Sequence, residues 1–171
     1  TFSMVELQLH VAQQAVYDFQ ATNGALPKVN DEADARSVVE LAKAFEEKNG
    51  VLANMGLEVD PLVCARVARH AAVELQPMAA FFGGVVAQEL VKVAGKYTPI
   101  QQFLNLQNFA ALPDDPPAPS DLAPRDCRYD DLAAVYGYAF VERLGSLRVF
   151  MVGCGALGCE FIKNFALLGV C

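Results

Sequence analysis

A chain of 171 residues that is 54% hydrophobic and 19% charged can bury a sizeable core in one or two domains, which excludes a disordered chain. Its net charge of −7 argues against broad electrostatic binding to nucleic acid or anionic membrane. No apolar run is read as approaching the roughly 18–20 residues that cross a bilayer, and no signal-peptide pattern is seen. The five cysteines, Cys64, Cys127, Cys154, Cys159 and Cys171, include no CxxC pair, so reduced thiols in the cytosol or nucleus are expected. His10 and His70 are far apart and lack ligand spacing, so no metal site is expected and both read as surface or packing histidines.

In chain order, Val5, Leu9, Ala12, Val16 and Phe19 recur by four and three, the pattern of an amphipathic helix that Asn23-Gly24 ends. Asp31-Glu32 opens a second helix with Ala35, Val38, Ala42 and Phe45 on its buried stripe, and Asn49-Gly50 stops it. Asp60-Pro61, an N-cap followed by proline at the first helical position, starts a third. Its stripe is read through Leu62, Ala65, Ala68, Ala72 and Leu75. Three short-linked helices of this kind pack as a bundle.

After Pro77, Met78 to Ala94 is apolar nearly all round until Gln88-Glu89 and Lys92, so this helix is expected to be covered on several sides. Gly83-Gly84 would weaken it, and a close approach by another backbone is the expected reason for them. Gly95 ends the helix, and Pro99 to Phe109 is a candidate strand. Leu112 to Asp126 then holds five of the nine prolines and four aspartates, which marks a solvated linker and the best domain boundary. A helical stretch over Leu132–Leu144 follows, with a break near Gly137.

Val149, Phe150, Met151 and Val152 form a short apolar run, read as a strand buried on both faces. Directly behind it stands Gly153-Cys154-Gly155-Ala156-Leu157-Gly158, a GxGxxG, and then an amphipathic helix from Cys159 to Leu168. Strand, glycine loop and helix together make the first unit of a dinucleotide-type fold. One glycine allows the tight turn, one lets a phosphate approach the backbone, and one lets helix and strand pack closely. The helix N-terminus offers N–H groups and a positive dipole end to an anion. An NAD site and an ATP site can share such a loop. Because the chain starts without Met and stops where a second parallel strand should begin, it reads as an interior piece of a longer protein.

The run from Tyr136-Gly137 through Leu144-Gly145 into FMVGCGALGCEFIKNFALLGV resembles the entry to the active adenylation domain of the ubiquitin-activating enzymes. Upstream, Pro77 to Glu89 and then Gly95-Lys96-Tyr97-Thr98-Pro99-Ile100 are similar to the end of that family's inactive adenylation domain. Residues 1–75 resemble its four-helix-bundle region. The resemblance implies an α-rich α/β chain, a helical bundle followed by parts of two ThiF/MoeB-like Rossmann-type adenylation domains. The implied division is 1–76 bundle, 77–111 closing helix and strand of the inactive domain, 112–126 linker, and 127–171 start of the active domain.

The resemblance also implies a function. Such enzymes use ATP and Mg to adenylate the C-terminus of ubiquitin or a ubiquitin-like modifier. A catalytic cysteine then takes it as a thioester and passes it to ubiquitin-conjugating enzymes. By that match Gly153, Gly155, Ala156 and Gly158 would lie against the nucleotide. The Mg ligands, the ribose-binding acid and the catalytic cysteine would lie outside these residues, so neither catalytic nor metal-binding residues are expected here. Cytoplasmic and nuclear localisation, with no nucleic-acid or membrane partner, completes the implication.

One departure stands at Arg128-Tyr129-Asp130-Asp131, where Asp131 occupies the place of an arginine in related adenylating domains. Arg128 therefore reads as an exposed helix-entry residue rather than a catalytic one. From residues alone, a NAD- or FAD-dependent oxidoreductase and a non-catalytic scaffold of a modifier-activating complex remain as alternatives. Dehydrogenases do not usually place a helical bundle and the AFFGGVVAQE helix ahead of the loop, which favours the activating enzyme. Thiols stand near a helix N-terminus at Cys154 and Cys159, where thiolates are stabilised, but no histidine base accompanies them.

Overall fold

Local capping signals decide several of the helix ends in the computed structural model, which describes residues 4–95, 97–113 and 115–171. Lys96, in the run matched to the closing domain segment, and Asp114, in the linker, lie outside the described residues, as do the first three residues. The α-helices are α1 (Met4–Asn23), α2 (Glu32–Asn49), α3 (Pro61–Arg69), α4 (Gln76–Ala94), α5 (Asp130–Tyr136), α6 (Tyr138–Gly145) and α7 (Ala156–Leu168). They fall into two compact units. One holds the chain up to Val73 together with Asn105–Phe109, and the other holds Glu74–Leu104 and Ala110–Cys171.

In the first unit, α1, α2 and α3 pack on one another around Val11, Ala12, Ala15, Val16, Val38, Ala42, Leu52, Cys64 and Ala68. Asp31 caps α2 through its carboxylate, which accepts the N–H groups of Ala33 and Asp34 at 2.9 and 2.8 Å. Gly50 ends that helix at φ 63°, a left-handed turn that suits glycine. Asp60 caps α3 by accepting from Leu62 at 2.8 Å, with Pro61 at the first turn as expected.

The third helix is shorter than its sequence stripe. It ends at Arg69, not Leu75, because the Arg69 carbonyl accepts the Asn30 N–H at 3.0 Å instead of continuing its own ladder. Its core face runs through Cys64 and Ala68, while Leu62 is 75% exposed. Burial pushes the Cys64 thiol up to about 11, which leaves it a small apolar packing group.

A polar residue missed by the periodicity completes this core. Gln8 is buried on α1, where its side chain donates to the Glu58 carbonyl at 2.7 Å and accepts the Asp60 N–H at 2.9 Å. One amide side chain thus satisfies two backbone groups of the segment that leads into α3. Arg69 and Glu32 join α3 to α2 by a two-pronged ion pair, with nitrogen–oxygen distances of 2.8 and 3.0 Å.

The second unit is helical too, and here the sequence reading needs correction. Neither expected strand forms: Val149–Val152 is irregular, with Phe150 91% exposed, and Pro99–Asn108, whose last four residues belong to the first unit, is irregular before a 3-10 turn at Phe109–Ala111. Strand structure exists only as a ladder, and no strand is found among the described residues to supply the partner. α4 also departs from expectation. None of its residues is buried, and a Cβ added at Gly83 or Gly84 would meet nothing within 4 Å. By length and composition alone this 19-residue helix is long and apolar enough to cross a bilayer, contrary to the sequence reading. A core helix passes the same test. Its polar end has a local task, since Glu89 pairs with Lys92 and accepts the Ile100 N–H at 2.7 Å, and both contacts hold its carboxyl below the usual range.

The break at Gly137 is present, at φ 81°. What holds it was read as solvated linker: Asp121 turns its carboxylate onto the start of α6, accepting the Ala139 N–H at 3.2 Å. A Cβ at Gly137 would lie 2.3 Å from that carboxylate, so the glycine is needed for the approach as well as for its φ. Leu132, Ala133, Tyr138 and Val141 form the small core of this unit.

Beside that core, the Asp130 carboxylate accepts from the Tyr138 hydroxyl and from the Arg125 and Cys127 N–H groups, at 3.1 and 3.3 Å for the two backbone donors. The tyrosine hydroxyl above all holds the Asp130 carboxyl down at about 2. A carboxyl depressed on folding stabilises the fold above its unfolded pKa of about 4, and the stabilisation fades as pH falls through the folded value. Between pH 4 and 2 the α5–α6 region of the native chain is therefore expected to loosen. Near-ultraviolet tyrosine dichroism should follow the loss, and Asp130→Asn should lower the signal's stability at pH 7 while flattening its dependence on acid. An acid transition unchanged by that substitution would sink this assignment.

Candidate functional site

The glycine loop runs directly into the N-terminus of α7, and its backbone geometry can be read residue by residue. Each glycine meets a different constraint. Gly153 sits at φ 94°, a conformation that L side chains rarely adopt, so it makes the turn. Gly158, inside the first turn of α7, packs against that turn: an added Cβ would lie 2.6 Å from the Gly153 carbonyl oxygen and 3.7 Å from the Met151 sulfur. Gly155, by contrast, has open space where its Cβ would be, at an extended φ of −72°. The middle glycine is thus required neither by strain nor by a neighbouring residue.

Gly155 precedes the first helical residue, Ala156, and accepts the Cys159 N–H at 2.9 Å as the first backbone bond of α7. The N–H groups of Ala156, Leu157 and Gly158 come ahead of that bond, in the turn whose donors an α-helix cannot satisfy internally. A helix N-terminus with an open approach over a glycine is suited to an anion. The four residues singled out by sequence, Gly153, Gly155, Ala156 and Gly158, are consecutive parts of this loop and turn.

The far end of α7 is fixed as firmly. Gly169 lies at φ 75°, with its N–H on the Ala166 carbonyl at 3.4 Å and the Val170 N–H on the Phe165 carbonyl at 3.0 Å, a Schellman ending. A Cβ on Gly169 would stand 2.9 Å from the Tyr129 ring, so the glycine also lets the helix end meet the entry to α5. In the C-terminal half of α7, Gln76 of α4 donates to the Asn164 side chain at 3.1 Å. These anchors hold the C-terminal half of α7 to the entry of α5 and to α4. The contacts of Tyr129 and Gln76 escaped the sequence reading, because they join positions distant in the chain, and Met151 was read as a strand residue rather than as a neighbour of Gly158.

Around this loop the chemistry is sparse. Arg128 lies over the Tyr129 ring at 5.5 Å, and Asp131 accepts the Glu74 N–H at 3.2 Å, so both serve the entry to α5. Cys154 and Cys159 are exposed beside the loop, and among the described residues no group of three His, Cys, Asp or Glu side chains forms a metal site. His70, in the bundle unit, is pushed below its ordinary range by burial.

Comparison with known proteins adds two family-model matches and three relatives. The family model for the ubiquitin-activating enzyme E1 four-helix bundle matches residues 4–46, and that for the ThiF family matches residues 129–171. Over 163 residues, 95% of this chain, it is 42% identical to ubiquitin-activating enzyme E1 1 of Arabidopsis thaliana. It is 40% identical over 166 residues to ubiquitin-like modifier-activating enzyme 7 of Mus musculus, and 39% identical over 166 residues to ubiquitin-like modifier-activating enzyme 1 of Rattus norvegicus, again across 95% of its length. The chain spans only 15, 17 and 16% of these three relatives, respectively.

Proposed function

We propose that this chain, a segment of the ubiquitin-activating enzyme family, supplies the phosphate-facing loop of an ATP site at which the C-terminus of ubiquitin or a ubiquitin-like modifier is adenylated. The observation that carries the reading is the division of labour among the glycines: Gly153 and Gly158 are needed for the loop's own shape, and Gly155 is left open. Bound ATP with Mg supplies the adenylyl group that activates the carboxylate. The chain's own part is to hold phosphate oxygens, through the N–H groups of Ala156, Leu157 and Gly158 over the bare backbone of Gly155. Similarity along nearly the whole chain to activating enzymes supports this over the oxidoreductase reading. On the same reading, residues 127–171 begin a Rossmann-type domain of the ThiF kind, and the run Arg148–Val152 becomes its first strand once a neighbour pairs with it. Ubiquitin-conjugating enzymes are the downstream partners, and the cytoplasm and nucleus the sites of action.

The test replaces Gly155 by Val in an activating enzyme that contains this segment. Because the space above Gly155 is open, the fold should survive while phosphate approach is blocked. Ubiquitin-dependent exchange of pyrophosphate into ATP should fall by on the order of 100-fold, the cost of a misplaced reacting group. Unchanged exchange would reduce the loop to a turn.

The 171 residues by themselves are expected neither to adenylate ubiquitin nor to carry it as a thioester. Adenylation needs a metal ion, cationic groups on the phosphates and a held carboxylate at one centre, and the described loop offers backbone donors without them. Incubation with ATP, Mg and ubiquitin should leave no thiol-sensitive adduct on a gel. A ubiquitin thioester on any of the five cysteines would overturn this.

A further inference from the structure

The two thiols beside the loop occupy a paired position that the nucleotide reading does not use. Taking Gly155 as the N-cap of α7, Cys154 is the residue before the cap and Cys159 the fourth residue of the helix. Side chains at these two places pack on each other across a helix entry, the arrangement known for apolar pairs as a hydrophobic staple. Here the pair is cysteine and cysteine. The Cys159 Sγ points back over the loop, 3.5 Å from the Cys154 carbonyl oxygen. A carbonyl oxygen lies about 2.4 Å from its own Cα, so the sulfur stands no more than about 6 Å from the Cys154 Cα.

A disulfide needs Cα atoms within about 7 Å and Cβ vectors that converge, so closing the bond calls on the Cys154 backbone to turn its side chain toward the Cys159 sulfur. The backbone around Cys154 is built to adjust, because it is flanked by Gly153 and Gly155, and neither glycine has an atom within 4 Å of where its Cβ would be. Both thiols are exposed to solvent, unlike Cys64. The remaining cysteines do not share this placement: Cys127 is engaged with the Asp130 carboxylate and the Tyr138 hydroxyl at 3.4 and 3.2 Å, and Cys171 lies beyond the end of α7.

We propose that Cys154 and Cys159 form a peroxide-sensitive thiol pair, oxidised to a disulfide that staples the glycine loop to the first turn of α7. One thiol reduces hydrogen peroxide, breaking its O–O bond to give a sulfenic acid and one water. The other thiol then attacks that sulfur, the S–S bond forms, and the sulfenic oxygen leaves as a second water. Two thiols lose two electrons and two hydrogens, and one peroxide becomes two waters. The bond closes over Gly155, so it would also hinder phosphate approach; that consequence rests on the proposed nucleotide role, whereas the bond itself does not.

The experiment reads the bond directly. The intact chain is treated with hydrogen peroxide, its free thiols are alkylated, and it is digested with trypsin, which releases Val149–Lys163 with both cysteines in one peptide. The expected major product is this peptide two hydrogens lighter than its reduced form and carrying no alkyl group. Reduction before alkylation should convert it to the doubly alkylated peptide. Cys154→Ser and Cys159→Ser should each abolish the lighter species. Recovery of the peptide only as doubly alkylated, as sulfinic or sulfonic acid, or cross-linked to a second chain would overturn the proposal. Because the readout is a covalent mass, it stands or falls separately from nucleotide binding.

Discussion

Leu52→Ala is expected to cost the helical bundle about 2–5 kcal/mol, toward the upper part of that range. Leu52 is completely buried, although it lies in the connection between α2 and α3 rather than on a helix stripe. The cost of a deleted side chain depends on whether its surroundings collapse into the gap. Here the backbone is pinned on both sides. Its N–H and that of Ala53 donate to the Glu46 carboxylate at 2.8 and 2.9 Å, and its carbonyl accepts from Met55 and Leu57 at 2.9 and 3.0 Å. With the turn held, the cavity stays open. A domain of this size has about 5–15 kcal/mol in total, so the loss is a large share of it.

Hydrogen exchange of the α1–α3 amides measures the effect within the bundle, whatever the second unit does. Leu62→Ala provides the contrast, since Leu62 is mostly exposed and should move protection by no more than about 0.5 kcal/mol. Equal effects from the two substitutions would refute the packing assigned to Leu52.

These two leucines show where sequence reading reaches and where it stops. The helix starts at Asp31 and Asp60-Pro61, the stop at Gly50 and the break at Gly137 were legible, because a cap is settled by atoms within one turn of chain. Leu62 fitted a three-and-four pattern yet points outward, while Leu52 fitted none and is buried. Burial depends on which elements meet, and a single stripe does not specify its neighbour. Gln8 was hidden for a related reason: its partners, Glu58 and Asp60, are some fifty residues away. The run Val149–Val152 marks the same limit for strands, since its apolar character requires cover that no local rule supplies. The glycine loop lies at the other extreme. Its spacing was visible at once, and the separate tasks of Gly153 and Gly158 follow from contacts within six residues. Asp121 fell between, as an aspartate with evident capping capacity whose target, the start of α6, lay beyond a proline-rich stretch that reads only as linker.

Gly158→Ala is expected to be as damaging to activity as the bulkier change at Gly155, and by a different route. The added methyl carbon would stand 2.6 Å from the Gly153 carbonyl oxygen and 3.3 Å from its carbon, a contact that backbone must move to relieve. Both atoms the methyl group meets belong to the Gly153 backbone, so the clash is relieved by moving main chain and not by turning a side chain. The relief therefore separates the loop from the first turn of α7, and with it the N–H groups of Ala156 and Leu157 from their places over Gly155. A displacement near 1 Å at a positioning element costs on the order of 100-fold in rate. Ubiquitin-dependent ATP–pyrophosphate exchange in an activating enzyme carrying the substitution should fall by about that factor. Two further readouts separate the roles of the two glycines. In the present chain, Gly158→Ala should speed hydrogen exchange through the first turns of α7, because it breaks a contact that exists without ligand. Gly155→Ala should leave that exchange unchanged, since its methyl group enters open space. If Gly158→Ala left both the exchange of α7 amides and the pyrophosphate reaction untouched, the close packing of loop on helix would have no part in shaping the proposed phosphate site.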